Sequence, residues 1–228
     1  MGGNDFGEPD RGLVDEHVLA LARAQRGRSR PNVCFLATAS GDSKEYLVTF
    51  YTAFARRAEA CHLGLFDRTV DDLERFVLEQ DVVLVGGGNT ANMLAIWRVH
   101  GLDRILARAL AEGVVLGGTS AGANGWVEAS TTDSFGGLAA LRDGLGFLPG
   151  SFSPHYNGEP MRRPTFQGLI ADGTLPAGYA ADDGVALVFR GTELVEAVAS
   201  RPGAHGHRVD RGPGGSAIEV ELPTRYLG

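Results

Sequence analysis

Gly118-Thr119-Ser120-Ala121-Gly122 follows the short apolar run Gly113–Gly117 and precedes small residues that suit a helix. The pattern G-x-S-x-G in that setting predicts a sharp strand-to-helix bend that lifts a serine above a sheet edge. Such a bend closes only where the flanking side chains are minimal. Ser120 is therefore the candidate nucleophile, and the amide of Ala121 a candidate donor to an oxyanion. A plain Gly/Ser turn is the simpler alternative. A second turn, Gly86-Gly87-Gly88-Asn89, ends the apolar run Asp81–Val85. With Ala91 it fits G-x-G-x-x-A, but a dinucleotide site also needs an acid about 20 residues on, at the end of the next strand. That strand ends in Gly117 and Gly118. The three glycines suit close backbone approach to a substrate better, with Gly88 N–H as the second oxyanion donor and Gly87, Asn89 and Thr119 at the substrate's side.

A serine nucleophile needs a base, and the chain offers His17, His62, His100, His155, His205 and His207. The first three fall in helices or a strand without features of a sheet-edge loop. His155 lies in Ser153-Pro154-His155-Tyr156-Asn157, where the proline biases its predecessor toward extended geometry and helps fix the imidazole's approach. His205 and His207, in a glycine-rich hairpin, compete with it, since they would give the order serine, acid, histidine found in α/β-hydrolases. The orienting acid is Asp183, beside Gly184 at the start of the run Val185–Phe189, with Asp182 as the alternative. A structural strand cap would look the same. Asp143, in Arg142-Asp143-Gly144, reads more simply as a turn. A metal or organic cofactor is not required by this chemistry.

The elements that must position these residues alternate short apolar runs with amphipathic stretches, the signature of an α/β fold. Helices are expected over Leu13–Arg26, Ser43–Ala58, from a Thr69 cap through Val77, from Asn89 through Trp97, and over Leu102–Glu112. Strands are expected over Asn32–Thr38, Cys61–Phe66, Asp81–Val85 and Gly113–Gly117. Val185–Phe189, Leu194–Ala199 and Ala217–Leu222 read as antiparallel hairpins at the sheet margin. Neighbouring parallel strands present their C-terminal turns on one edge, where ligands bind in such folds.

Composition narrows the partners. With 43% hydrophobic and 21% charged residues over 228 positions, the chain is globular, and residues 1–228 are read as one domain. A net charge of −7 leaves no basic footprint for nucleic acid or an anionic membrane. Cys34 and Cys61 have no metal-ligand or C-x-x-C spacing and read as buried thiols in strands. No apolar run reaches the roughly 20 residues of a membrane span, and the first residues lack a signal-peptide pattern. A cytoplasmic location is expected. Lys44 is the only lysine, on a surface-facing helix, so lysine chemistry is discounted.

The segments VGGGNTANMLAIWRVHGLDRIL, GGTSAGANGW, TDSFGG, SPHYNGEP and AADDGVAL, in that order, resemble the S51 peptidase family of peptidase E, or aspartyl dipeptidase. The resemblance runs roughly from Asn32 to Ala199. It implies a three-layer α/β/α fold with a mostly parallel central sheet, flavodoxin-like and similar to class I glutamine amidotransferases. It also implies a serine, histidine, acid order, which favours His155 over His205 and His207. The expected activity is that of a serine exopeptidase acting on short peptides; in the best-known members these are dipeptides with N-terminal aspartate, and relatives include cyanophycinases. Three departures follow from the same comparison. The family's usual acid is glutamate, whereas the matching position holds Asp183. Its aspartate-binding arginine falls in a stretch that is shorter here and offers Arg162 and Arg163. Its opening strand and glycine turn are matched by Met1-Gly2-Gly3 only as the turn, which reads as a truncated start. The alternatives are a non-catalytic protein that binds a small ligand or partner at the same turn, and an esterase using His205 or His207. The architecture also permits a homodimer, which no sequence feature demands.

Overall fold

A computed structural model describes residues 1–3, 6 and 10–228. Its first half holds α1 (Arg11–Arg26), β1 (Asn32–Leu36), α2 (Lys44–Phe54), β2 (Glu59–His62), α3 (Leu73–Leu78), β3 (Val82–Val85), α4 (Thr90–His100), α5 (Leu102–Ala111), β4 (Val115–Gly118) and the single turn α6 (Ala121–Asn124). The strands form an all-parallel sheet in the order β2-β1-β3-β4. Successive side chains of a strand point to opposite faces, and the core divides accordingly. Val33, Phe35, Val82 and Leu84 pack against Leu19, Phe50 and Phe54 of α1 and α2. Cys34, Leu36, Val83 and Val85 pack against Leu94, Trp97, Leu102 and Leu106 of α4 and α5. Burial on both faces is why these strands read as unbroken apolar runs.

The second half holds β5 (Val127–Thr132), β6 (Ala139–Leu141), β7 (Leu148–Ser153), α7 (Arg162–Ala171), β8 (Gly178–Ala181), β9 (Val185–Arg190), β10 (Glu193–Ala199), β11 (Gly206–Arg211), β12 (Ala217–Glu221) and β13 (Thr224–Tyr226). A mixed sheet runs β12-β11-β8-β7-β5-β6, and a small one β13-β10-β9. The fold is α/β with parallel sheet flanked by helices, as expected. The marginal runs are antiparallel, with β9 pairing β10 and β12 pairing β11.

Register carries the chemistry-bearing turns to one place. Leu36 pairs Val85, and Val85 pairs Gly118, so β1, β3 and β4 end level and their following turns share an edge. In the second sheet Ser153 pairs Ala180, so the segments after β7 and β8 also leave side by side. Met1–Gly3 bridge the two halves through backbone bonds. The Met1 amine donates to Gly118 O, Ser120 N–H to Gly2 O, Gly2 N–H to Val185 O and Gly184 N–H to Gly3 O, all within 2.9 Å. A cavity of about 880 Å³ runs from Met1 along the free edges of β4 and β9, lined by Val115, Leu116, Trp126, Leu187 and Phe189.

Three of the boundaries that differ from expectation have identifiable causes. The cap of α3 is Asp72, whose carboxylate accepts from Arg75 N–H, rather than Thr69. Strand β2 stops at His62 instead of reaching Phe66, because Asp42 Oδ2 captures the amides of Leu65 and Phe66 and draws the chain from the ladder. Helix α2 is capped by Ser43, as its sequence implies, but closes at Phe54, where the amides of Arg57 and Ala58 both turn onto Phe54 O. Among the described residues, no helix is long and apolar enough to cross a membrane.

Phe50 is fully buried, stacked on Phe35 and Phe54 at ring separations of 4.9 and 5.1 Å. Phe50→Ala should therefore cost about 3–5 kcal/mol of unfolding free energy in urea titration. A loss below about 1 kcal/mol would show that this face is not tightly packed.

Candidate active site

The bend at Ser120 is built by its two flanking glycines. A Cβ on Gly118 would lie 2.3 Å from Gly122 O, and one on Gly122 would lie 2.5 Å from Val85 O. No side chain fits either position, which is the physical content of the G-x-S-x-G spacing. Ser120 itself takes φ 51°, ψ −117°, a left-handed backbone that costs a non-glycine residue on the order of 1–3 kcal/mol. The strain is held by bonds on both sides of the residue: Ser120 N–H to Gly2 O, and the amides of Ala123 and Asn124 to Ser120 O.

His155 follows Pro154 and also takes a positive φ, 53°. The Tyr156 amide ties the segment to Ala181 O at the end of β8. The imidazole thereby lies between two partners, with Nε2 2.9 Å from Ser120 Oγ and Nδ1 2.8 Å from Asp183 Oδ1. The hydrogen bond from His155 holds the Asp183 carboxyl below its usual range, helped by the charges of His155 and Arg201 and by the Gly3 amide, against an opposing push from burial. An ionised Asp183 accepts from Nδ1–H, which leaves Nε2 of a neutral imidazole to accept the Ser120 hydroxyl proton. The carboxylate sits in a close-fitting cradle. A Cβ on Gly3 would meet Asp183 Oδ1 and His155 Nδ1 at 2.2 Å, and one on Gly158 would meet Asp183 Oδ2 at 2.1 Å. Asn157 Oδ1 accepts from the Asp183 amide.

The glycine turn after β3 passes beside the serine. A Cβ on Gly87 would lie 3.4 Å from Ser120 Cβ, and one on Gly88, at φ 137°, would strike Ala39 O at 2.2 Å. Among the described residues, neither the Gly88 nor the Ala121 amide donates to a protein acceptor, whereas the neighbouring amides do. Gly87 N–H donates to Tyr46 Oη, and Asn89 N–H to Ala39 O. The Asn89 side chain is occupied locally, accepting from Asn92 N–H as the cap of α4 and donating to Ser134 O. Thr119 is buried, with its amide on Val85 O and its hydroxyl 3.5 Å from Gly2 O.

The other candidates lie elsewhere. His205 Nδ1 is 3.3 Å from Glu221, and the buried His207 faces Asp182 and Glu219; neither histidine bonds to Ser120. Asp182 accepts from the His205 amide rather than from His155. Asp143 forms an exposed ion pair with Arg98. Arg162 is buried against Glu159 and Thr131 O, and Arg163 is bound to Glu219 over the Tyr156 ring. Cys34 is buried and Cys61 only half-buried. No three His, Cys, Asp or Glu side chains converge as metal ligands among the described residues. Sequence reasoning missed the contributions of Tyr46, Gly3 and Gly158. Tyr46 reads only as part of an apolar helix face, and a glycine pressed against a distant carboxylate leaves no local signal.

A chain similar over its whole length is the uncharacterized peptidase YgaJ of Bacillus subtilis (strain 168), 48% identical over 230 residues, which cover 100% of this chain and 97% of that one. In fold, the molecule resembles the crystal structure of a peptidase from an acI-B1 Actinobacterium, with a TM-score of 0.67 at 18% identity over 98% of this chain and 92% of that one. It also resembles the 1.5 Å structure of a putative peptidase E protein from Listeria monocytogenes EGD-e, with a TM-score of 0.52 at 18% identity over 90% and 93%. The sequence model of peptidase family S51 matches residues 6–197, most of the sheet-bearing chain together with the elbow, the glycine turn and the histidine segment, and this protein belongs to that family.

Proposed function

We propose that this S51 peptidase is a serine hydrolase of short peptides that works through Ser120, His155 and Asp183 and a covalent acyl-enzyme. The observation that carries the reading is the continuous chain from Ser120 Oγ through both nitrogens of His155 to Asp183 Oδ1, with links of 2.9 and 2.8 Å. In the first half-reaction Ser120 Oγ attacks the scissile carbonyl carbon while its proton passes to His155 Nε2. The amides of Gly88 and Ala121 stabilise the oxyanion. The imidazolium, held by Asp183, then protonates the leaving amine as the C–N bond breaks. In the second half, His155 Nε2 takes a proton from water as its oxygen attacks the ester carbonyl, and passes it to Ser120 Oγ as the acyl C–Oγ bond breaks and the new carboxylate leaves. Nothing in these steps calls on a cofactor.

Aspartate at the substrate's N-terminus is not part of the proposal. Bidentate capture of a side-chain carboxylate needs an available guanidinium, and both Arg162 and Arg163 are already engaged by protein acceptors. The proposed substrates are short peptides without that requirement. The esterase reading lacks support, because His205 and His207 are bound elsewhere.

Ser120→Ala should fold normally and reduce turnover of a cleavable peptide by about 10⁴–10⁶-fold. A fluorophosphonate should attach to Ser120 in the parent and not in the variant, as read by peptide mass spectrometry. Parental turnover by Ser120→Ala would defeat the proposal. A second expectation concerns pH. Because the folded-state pKa of Asp183 is depressed, ionised Asp183 contributes stability that is present above its unfolded value of about 3.9 and lost as pH falls through the lower folded value. The margin by which the parent outlasts Asp183→Asn in urea should hold from pH 7 to about 5 and shrink below about 4. A margin that grows in acid would mean that the carboxylate is not held in its ionised form.

A further inference from the structure

Asp182 and His207, which the sequence offers as rivals of Asp183 and His155, face each other in a buried cluster behind the proposed site. His207 lies in β11 with Nε2 3.4 Å from Asp182 Oδ1 and Nδ1 3.7 Å from Glu219 Oε1. It is 5% exposed, and among the described residues neither ring nitrogen makes a hydrogen bond, so its approaches to the two carboxylates are close contacts only. The Tyr156 ring packs on the imidazole at 5.1 Å, and its hydroxyl donates to Glu219 Oε2 at 2.6 Å. From α7, Gln167 and Arg163 also donate to Glu219, while the His205 amide holds the other oxygen of Asp182.

The cluster and the proposed catalytic chain share their backbone. Tyr156 is the residue after His155, and Asp182 the residue before Asp183. The imidazole stands between the two carboxylates and keeps them apart. Without it, Glu219 would keep Arg163, Gln167 and Tyr156 and Asp182 the His205 amide, but the two carboxylates would face each other with nothing between them and repel.

Building on the serine reading, we propose that His207, by bridging Asp182 and Glu219, is a positioning residue that fixes the two segments carrying His155 and Asp183 against Ser120. His207 touches no reacting atom. It acts by standing between β12, which holds Tyr156 through Glu219, and the β8 end, which carries Asp182 and Asp183. Small displacements at such a chain are costly, because a shift of about 1 Å in reacting groups lowers rates on the order of 100-fold.

The test is the bimolecular rate of Ser120 labelling by a fluorophosphonate in the full-length protein, with thermal melts run on the same samples. His207→Leu should slow labelling about 10- to 100-fold. The double variant His207→Leu/Glu219→Gln should recover most of that rate, because one carboxylate charge has been removed; a merely structural packing role predicts no such recovery. Should His207→Leu fail to fold, His207→Gln, which keeps a donor and much of the volume, should show a smaller loss that Glu219→Gln again relieves. The NMR signal of the His155–Asp183 proton should shift in His207→Leu and return in the double variant. Labelling of both single variants at the parental rate, or equal slowing of the single and double variants, would overturn this inference while leaving Ser120 as nucleophile. A parent that is not labelled at all would overturn the serine reading and this inference with it.

Discussion

Ser120 occupies a backbone conformation that L-residues avoid, and the surrounding structure is arranged to hold it there. Gly118 and Gly122 have no room for a Cβ, so the strand can enter the bend and the helical turn can leave it at contact distance. The turn α6 is too short to be stable alone. Its support comes from burial, from the Ser120 carbonyl that accepts two of its amides, and from Gly2, whose carbonyl takes the Ser120 amide. From this strained backbone the hydroxyl of Ser120 lies 2.9 Å from His155 Nε2.

The contact also depends on two sheets that share no strand pairing. Ser120 and the Gly86–Asn89 turn belong to the parallel sheet of the first half, while His155 and Asp183 leave the mixed sheet of the second. Level strand ends within each sheet gather the turns, and Met1–Gly3 join the sets by hydrogen bonds to Gly118, Ser120, Val185 and Gly184. Gly3 has a second role, since its bare Cα faces both His155 and Asp183. The opening residues therefore form part of the site's frame, and their glycines are required by close approach rather than by any turn of their own.

Much of this was legible in the sequence because the signals are local. The apolar runs that become β1, β3 and β4 announce burial on both faces, and a serine between glycines after such a run announces the bend. His155 was distinguishable by its proline and loop setting. The acid was not, because Asp182 and Asp183 are adjacent and local pattern treats them alike; only the long-range pairing of β8 with β11 decides which faces which histidine. The end of β2 was misread for a similar reason, whereas the cap of α3 at Asp72 is a local signal. Asp42 reaches across from a distant turn to capture the amides of Leu65 and Phe66, and no period in residues 61–66 records that capture. Arg162 and Arg163 carried charge suited to a ligand, but Arg162 is taken by the nearby Glu159 and by Thr131 O in β5, and Arg163 by Glu219 in the distant β12.

The short acid at position 183 is matched to its surroundings. An aspartate has one methylene fewer than a glutamate and must bring its carboxylate to the histidine by backbone placement alone. The cradle made by Gly3 and Gly158 supplies that placement: both glycines approach so near that any side chain on either would overlap the carboxylate. A longer acid on the same backbone would drive its carboxylate into these walls or past His155 Nδ1. The same tightness explains how the chain holds a 2.8 Å bond from a residue that is a quarter exposed. The partners are fixed by backbone on both sides, and little side-chain freedom is left to lose when the bond forms. Backbone fit, rather than side-chain reach, therefore brings the Asp183 carboxylate to His155.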